Sequence, residues 1–293
     1  MSTYQIVTDS SCDIPPELLK EYGVDFVPYS VSFDGSTYYK EHVDMNVTEF
    51  YHRMTTGKAF PKTSLPPIQD YIDCFEPYLK QGQDILCVCL TAKFSGSYQS
   101  AINAGHMLKD DYPGRRVIVL DSIQVTAGQG LLVFQAAKMQ QAGFGLDQCV
   151  NILEQVKETC RISFTVDSLE YLRRGGRIGL VAGFAGSLLN IKPIIQVYGG
   201  ELRPHSKVRG RKKAISEVIR IAMSEFGDHP EHYEFAVISS ECPDEALEIV
   251  HQLKTEYGVE IAYPLINVGM TIGCHIGPSA IGIATIRKYT YFA

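Results

Sequence analysis

Over the first half of the chain, short apolar runs alternate with helix-period stripes. Residues 4–7 form a strand-like run, followed by the turn Asp9-Ser10-Ser11-Cys12-Asp13 and by Pro15-Pro16, where a helix is expected to start. Residues 26–31 read as the next strand, and residues 85–90 as a buried one that leads into a helix over residues 97–108. In that helix Tyr98, Ala101, Ile102, Gly105 and Leu108 recur at helical spacing. Residues 117–120 run into Asp121-Ser122 and a helix over residues 131–141. A last stripe of Cys149, Val150, Leu153, Val156 and Cys160 closes this region. Continuous apolar strands separated by helices predict a parallel sheet covered on both faces.

The second half has a different rhythm. Residues 194–198, Gly199-Gly200 and residues 201–202 predict an antiparallel hairpin. Ile215, Val218, Ile219, Ala222 and Phe226 mark one helix, and Ala246, Ile249, Val250, Leu253 and Tyr257 another. Residues 235–239, 259–263, 271–275 and 280–286 read as strands. The predicted architecture is α/β in two domains: an N-terminal parallel-sheet α/β domain over 1–160, and a C-terminal α+β domain with a mainly antiparallel sheet over 161–293.

The 293 residues suffice for cores of this size, with 45% hydrophobic and 20% charged residues. A net charge of -6 argues against nucleic-acid partners, which need many cations against phosphate. The apolar runs stop well short of the ~20 residues that a spanning helix needs, and the first residues carry no basic and apolar leader, so a cytoplasmic location is expected. None of the eight cysteines forms a C-x-x-C pair; they read as small core residues, and no metal or cofactor is expected.

Two hydroxyl-bearing segments stand out. Ser95-Gly96 lies at a strand-to-helix junction, where unpaired backbone N–H groups and the helix dipole favour anions. Thr63-Ser64 precedes Pro66-Pro67, and each segment by itself also reads as a helix cap. His275 sits between Gly273 and Gly277 in an apolar stretch. Lys93 and Ser97 flank Ser95 where a G-x-S-x-G elbow needs glycines, and Gly175-Gly176-Arg177-Ile178-Gly179 matches neither phosphate-loop pattern. Arginines in that glycine turn, and in the run Lys207 to Lys213, offer guanidinium groups to a phosphate or an acidic partner.

In order along the chain, Thr8-Asp9-Ser10, Thr63-Ser64-x-Pro66, Ser95-Gly96-x-Tyr98-Gln99-Ser100-Ala101, Asp121-Ser122, Leu169-Glu170-Tyr171-Leu172-x-x-Gly175-Gly176-Arg177-Ile178, Ile191-Lys192-Pro193 and His275-x-Gly277-Pro278 resemble the DegV family. The resemblance implies a long-chain fatty acid in a buried apolar tunnel, with its carboxylate held by Thr63, Ser64, Ser95, Gly96 and His275. A protonated His275 would add a charge-assisted bond. The resemblance also implies a non-catalytic subunit that presents the acid to a separate ATP-binding fatty-acid kinase for acyl-phosphate formation. Arg173, Arg177 and Arg209 then face the partner or the phosphate, and transient contact with a membrane surface is a further expected interaction. Rival readings are a lipid sensor or transport protein without a kinase partner, and a hydrolase using Ser95 and His275. Leu65, Pro67, Lys93-Phe94 and Ser279 depart from the family's usual residues. Burying ~14 methylenes at ~0.8 kcal/mol each gives roughly 11 kcal/mol gross, so the tail supplies most of the affinity.

Overall fold

The computed structural model describes residues 4–57, 60–184, 190–224, 229–261, 263 and 265–293. The first half contains β1 (Tyr4–Asp9), α1 (Pro16–Glu21), β2 (Val24–Val27), β3 (Ser30–Ser32), β4 (Tyr39–Lys40), α2 (Val47–Thr56), β5 (Lys62–Ser64), α3 (Ile68–Lys80), β6 (Asp84–Cys89), α4 (Ser97–Leu108), β7 (Val117–Asp121), α5 (Thr126–Gln141) and α6 (Leu146–Val156). The second contains β8 (Arg161–Thr165), α7 (Glu170–Arg174), β9 (Ile191–Tyr198), β10 (Glu201–Arg209), α8 (Arg211–Ser224), β11 (Tyr233–Ser239), α9 (Pro243–Tyr257), β12 (Ile266–Asn267), α10 (Met270–Ile276) and β13 (Ile281–Arg287).

The architecture is α/β with one parallel and one mainly antiparallel sheet. The parallel sheet has the order β2-β1-β6-β7. Its interior strands β1 and β6 are buried on both faces, which accounts for their unbroken apolar sequence. The larger sheet has the order β10-β9-β8-β13-β11-β12 and is antiparallel except at its β11–β12 edge. A small antiparallel sheet, β4-β3-β5, stands beside them. Between the two large sheets runs α5, packed on β1 and β6 of one and on β11 and β13 of the other. Residues 126–137 of this helix are all buried. Gly130 lets it approach the Cys12 carbonyl, 2.9 Å from where a Cβ would stand. One apolar core therefore includes Tyr4 and Leu86 from the first half and Ile195 and Ile286 from the second.

Several elements depart from the sequence reading. Residues 26–31 belong to two strands in different sheets, broken at Pro28, which has no N–H for a ladder. The helix expected from residue 131 begins at Thr126, because the two glycines of Thr-Ala-Gly-Gln-Gly imitate a turn. Residues 259–261 form no strand. The Val259 N–H bonds the Leu253 carbonyl and so helps end α9 after the left-handed Gly258 (φ 66°). Residues 271–275, read as a strand, lie within helix α10, whose burial on nearly every side hides the 3.6-residue period. Thr63 and Ser64 cap no helix: they are strand residues of β5, and α3 starts after Pro67. Phe226 lies outside the described residues.

Two buried carboxylates lock the strand ends. Asp9, at the end of β1, accepts bonds from the Leu90 N–H (2.9 Å), the Ser11 N–H and hydroxyl, and Gln129 Nε2 (3.0 Å) of α5. Glu41 reaches the start of α10, where it accepts from the Met270 and Thr271 N–H groups and the Thr271 hydroxyl, and also from the Ser10 hydroxyl (2.7 Å). Gly269 carries no Cβ because one would collide with the Glu41 carboxylate. Replacing Glu41 with Ala strands these four buried donors, so Glu41→Ala should lose about 3 kcal/mol or more in equilibrium urea unfolding. A loss below about 1 kcal/mol would show that the cap contributes little.

Candidate functional site

Beyond the carboxyl end of β6 the chain turns through residues 90–96 into α4, the position where parallel sheets commonly bind ligands. Ser95 lies in this turn. Its Oγ accepts bonds from the Tyr29 hydroxyl (2.7 Å) and the Ser97 N–H (3.2 Å). Both bonds enter on the oxygen's lone pairs, which leaves the Ser95 hydrogen to be donated elsewhere. Burial raises the Tyr29 phenol well above its ordinary range, so it stays a neutral donor. Arg177 fixes the same turn from α7's side, donating through Nε and Nη2 to the Phe94 carbonyl (3.2 and 3.1 Å) and through Nη1 to the Gly175 carbonyl (2.6 Å).

His275 approaches from α10. Its Nε2 is 3.0 Å from the Thr63 hydroxyl, while Nδ1 is buried and makes no hydrogen bond among the described residues. Gly175 lies close against the Nδ1 side of the imidazole, and a Cβ there would overlap Nδ1. Gly277, at φ 79°, likewise leaves no room for a Cβ beside the Tyr171 ring. These contacts explain why both glycines belong to the motifs. Desolvation, with the Arg177 charge adding to it, lowers the His275 pKa to about 4. The imidazole is therefore neutral near pH 7, and the charge-assisted bond expected of a protonated His275 is replaced by a dipolar one.

Thr63, Ser95, His275 and Arg177 line one cavity, together with Tyr29, Thr126 and Thr271. Behind them the walls are apolar: Val125 at the start of α5, Ile162 and Phe164 of β8, Val197 of β9, Leu202 of β10 and Ile238 of β11. The cavity has about 850 Å³ of empty space, its open mouth included. Leu65 and Phe94, two of the departures, line it as well, whereas the hydroxyl and carbonyl of Ser279 bind the Asp167 N–H and Arg211.

Other expected site residues lie elsewhere. Side chains alternate along β5, so with Thr63 facing the cavity Ser64 faces solvent, and it is not part of the lining. Gly96 is also exposed and outside the lining, though a Cβ there would come within 3.3 Å of Leu65. Arg173 is exposed and paired with Glu170 at 2.6 Å, and Arg209 is exposed at the end of β10. Tyr29, Thr126 and Thr271 were not singled out from the sequence; as isolated polar residues in apolar runs they carry no local signal.

His275 gives the folded state fewer bound protons than the unfolded chain between its folded pKa of about 4 and the ordinary value of 6.5. Stability should therefore drop as the pH is lowered through that window, by up to roughly 3 kcal/mol from this residue. Denaturant titrations of the wild type and His275→Gln at several pH values should diverge there. Parallel curves would overturn the neutral assignment.

Among the described residues no helix is long and apolar enough to cross a membrane. A family profile described as "Uncharacterised protein, DegV family" matches residues 3–288. A DegV domain-containing protein of Caldanaerobacter subterraneus subsp. tengcongensis is 36% identical over 97% of this chain and 98% of its own length. Among solved structures, a stearic acid-binding protein from Eubacterium ventriosum superposes with a TM-score of 0.94 at 37% identity, covering 98% of this chain and 99% of that one. DegV from Bacillus subtilis, described as a fatty acid binding protein, has a TM-score of 0.87 at 30% identity, covering 98% and 100%. The order of motifs, the fold and these matches over nearly the whole chain place it in the DegV family.

Proposed function

We propose that this chain binds a long-chain fatty acid, with its carboxylate at the polar end of the cavity and its tail along the apolar walls. The carrying observation is that Thr63, Ser95 and His275, from three distant segments, line one cavity whose remaining walls are mainly apolar. The Ser95 hydrogen donates to one carboxylate oxygen. A neutral His275, protonated on Nε2, donates to the Thr63 oxygen, which orients the Thr63 hydroxyl hydrogen as the second donor. The fatty-acid-binding descriptions of the Eubacterium and Bacillus proteins support this reading.

A hydrolase reading is less well supported. Among the described residues no hydrogen bond joins Ser95 to His275, and Nδ1 has no carboxylate to orient the ring as a general base. In the proposed role the chain presents the acid to a separate ATP-binding kinase, and exposed Arg173 and Arg209 offer charge to that partner.

Mass spectrometry of lipid extracted from the purified protein should detect a fatty acid. Ser95→Ala should weaken uptake of added fatty acid by roughly tenfold or more, the worth of one hydrogen bond to a charged group. Val197→Phe, which fills the apolar wall, should block uptake while leaving the head-group residues in place. Absence of lipid, together with no uptake by the wild type, would overturn the proposal. For the kinase role, Arg173→Glu with Arg209→Glu should reduce acyl-phosphate formation by a candidate kinase without altering lipid uptake, and equal turnover by the variant would remove these arginines from docking.

A further inference from the structure

Far from the cavity, His229, Glu231 and His232 gather on one exposed turn. Pro230 opens a single 3-10 turn over Pro230–His232, its ring presetting the backbone. The turn is held by the His232 N–H to the His229 carbonyl (3.2 Å) and, from the end of β13, by the Lys288 N–H to the His232 carbonyl (2.9 Å). Lys288 Nζ binds the Glu231 carbonyl oxygen at 2.6 Å, so the lysine anchors the backbone of this turn. The two imidazoles lie nearly parallel, 5.2 Å apart at 17°.

His229 Nδ1 is 2.9 Å from Glu231 Oε1, and His232 Nε2 is 3.7 Å from the same oxygen. All three donor atoms lie within 4.8 Å of one another. A tetrahedral zinc ion with bonds of about 2.0–2.1 Å needs donors about 3.3 Å apart, so the two measured edges bracket the required one. We propose that His229, Glu231 and His232 form a surface site for a divalent transition-metal ion of the zinc, nickel or copper type. Two imidazoles and one carboxylate suit these borderline ions, whereas magnesium and calcium prefer all-oxygen cages. Three protein ligands leave a fourth position to water. Bound metal would cross-link the turn that leads into β11 and that is hydrogen-bonded to Lys288 just after β13.

His232 and the cavity residue Ile238 are separated by six residues along β11, roughly 20 Å at strand rise, so this site and lipid binding should be independent. Zinc titration of the full, untagged chain by calorimetry, with cobalt as a spectroscopic probe, tests the assignment. One equivalent should bind in the micromolar range, and the metal should raise the melting temperature without changing fatty-acid uptake. His232→Ala and Glu231→Gln should each weaken zinc binding by roughly tenfold or more, with the metal-free melting temperature unchanged. Saturation only at millimolar zinc would overturn the site. So would a sulfur-to-cobalt charge-transfer band, which would point to cysteine ligands, or wild-type zinc affinity in the two variants.

Discussion

The site depends first on the Glu41 carboxylate and the helix it caps. A buried carboxylate is costly unless donors surround it, and Glu41 receives four, three of them from residues about 230 positions further along the chain. This fixes both the position and the rotation of α10. Thr271 and His275 are one helical turn apart and share a face, so capping at Thr271 aims the imidazole at Thr63. Ser10 extends the link: it donates to Glu41 and accepts the Tyr29 N–H, and the Tyr29 hydroxyl in turn reaches Ser95. One continuous chain of hydrogen bonds thus joins the helix carrying His275 to the turn carrying Ser95. Asp13 adjoins this network, and burial together with the nearby Glu41 raises its pKa well above the carboxylate range, which keeps a second negative charge out of the cluster.

Much of this architecture was legible because its cause is local. The β9–β10 hairpin follows from Gly199-Gly200, and α4 keeps the bounds that its periodicity predicts. The cavity-lining residues Thr63, Ser95 and His275 were visible as hydroxyls at element junctions and as an imidazole between glycines in apolar sequence. What stayed hidden depends on distant contacts. Helix α10 reads as a strand because neighbours bury nearly all of it, and the Glu41 cap that starts it belongs to a remote loop. Ser64 was paired with Thr63 because both are hydroxyls, and only membership of β5 shows that they face opposite ways. Glu41 itself gave no signal, since a glutamate in a polar loop usually faces water.

The electrostatics of the polar end follow from the same packing. Gly175 brings backbone against the imidazole, excludes water from Nδ1 and leaves it without a proton acceptor, so protonation there is disfavoured. Arg177 adds a positive charge near the ring while its own donors are occupied by the Phe94 and Gly175 carbonyls. The pocket therefore offers hydroxyl and imidazole dipoles, with one guanidinium charge close by. Where a ligand's affinity comes mainly from apolar burial, such a head-group site need only satisfy a carboxylate's lone pairs, so that tail burial is not cancelled by an unpaired charge.

Leu65 and Phe94 refine that balance. Each lines the cavity beside a polar residue, Leu65 two positions after Thr63 and Phe94 immediately before Ser95. Were a carboxylate bound as proposed, apolar side chains at these places would thin the water around it, strengthening each remaining hydrogen bond and raising the penalty for a missing one. In that proposed role the site would discriminate by fit as well as by charge: a head group that left the Ser95 hydrogen or the Thr63–His275 pair without its partner would lose more here than at an open mouth.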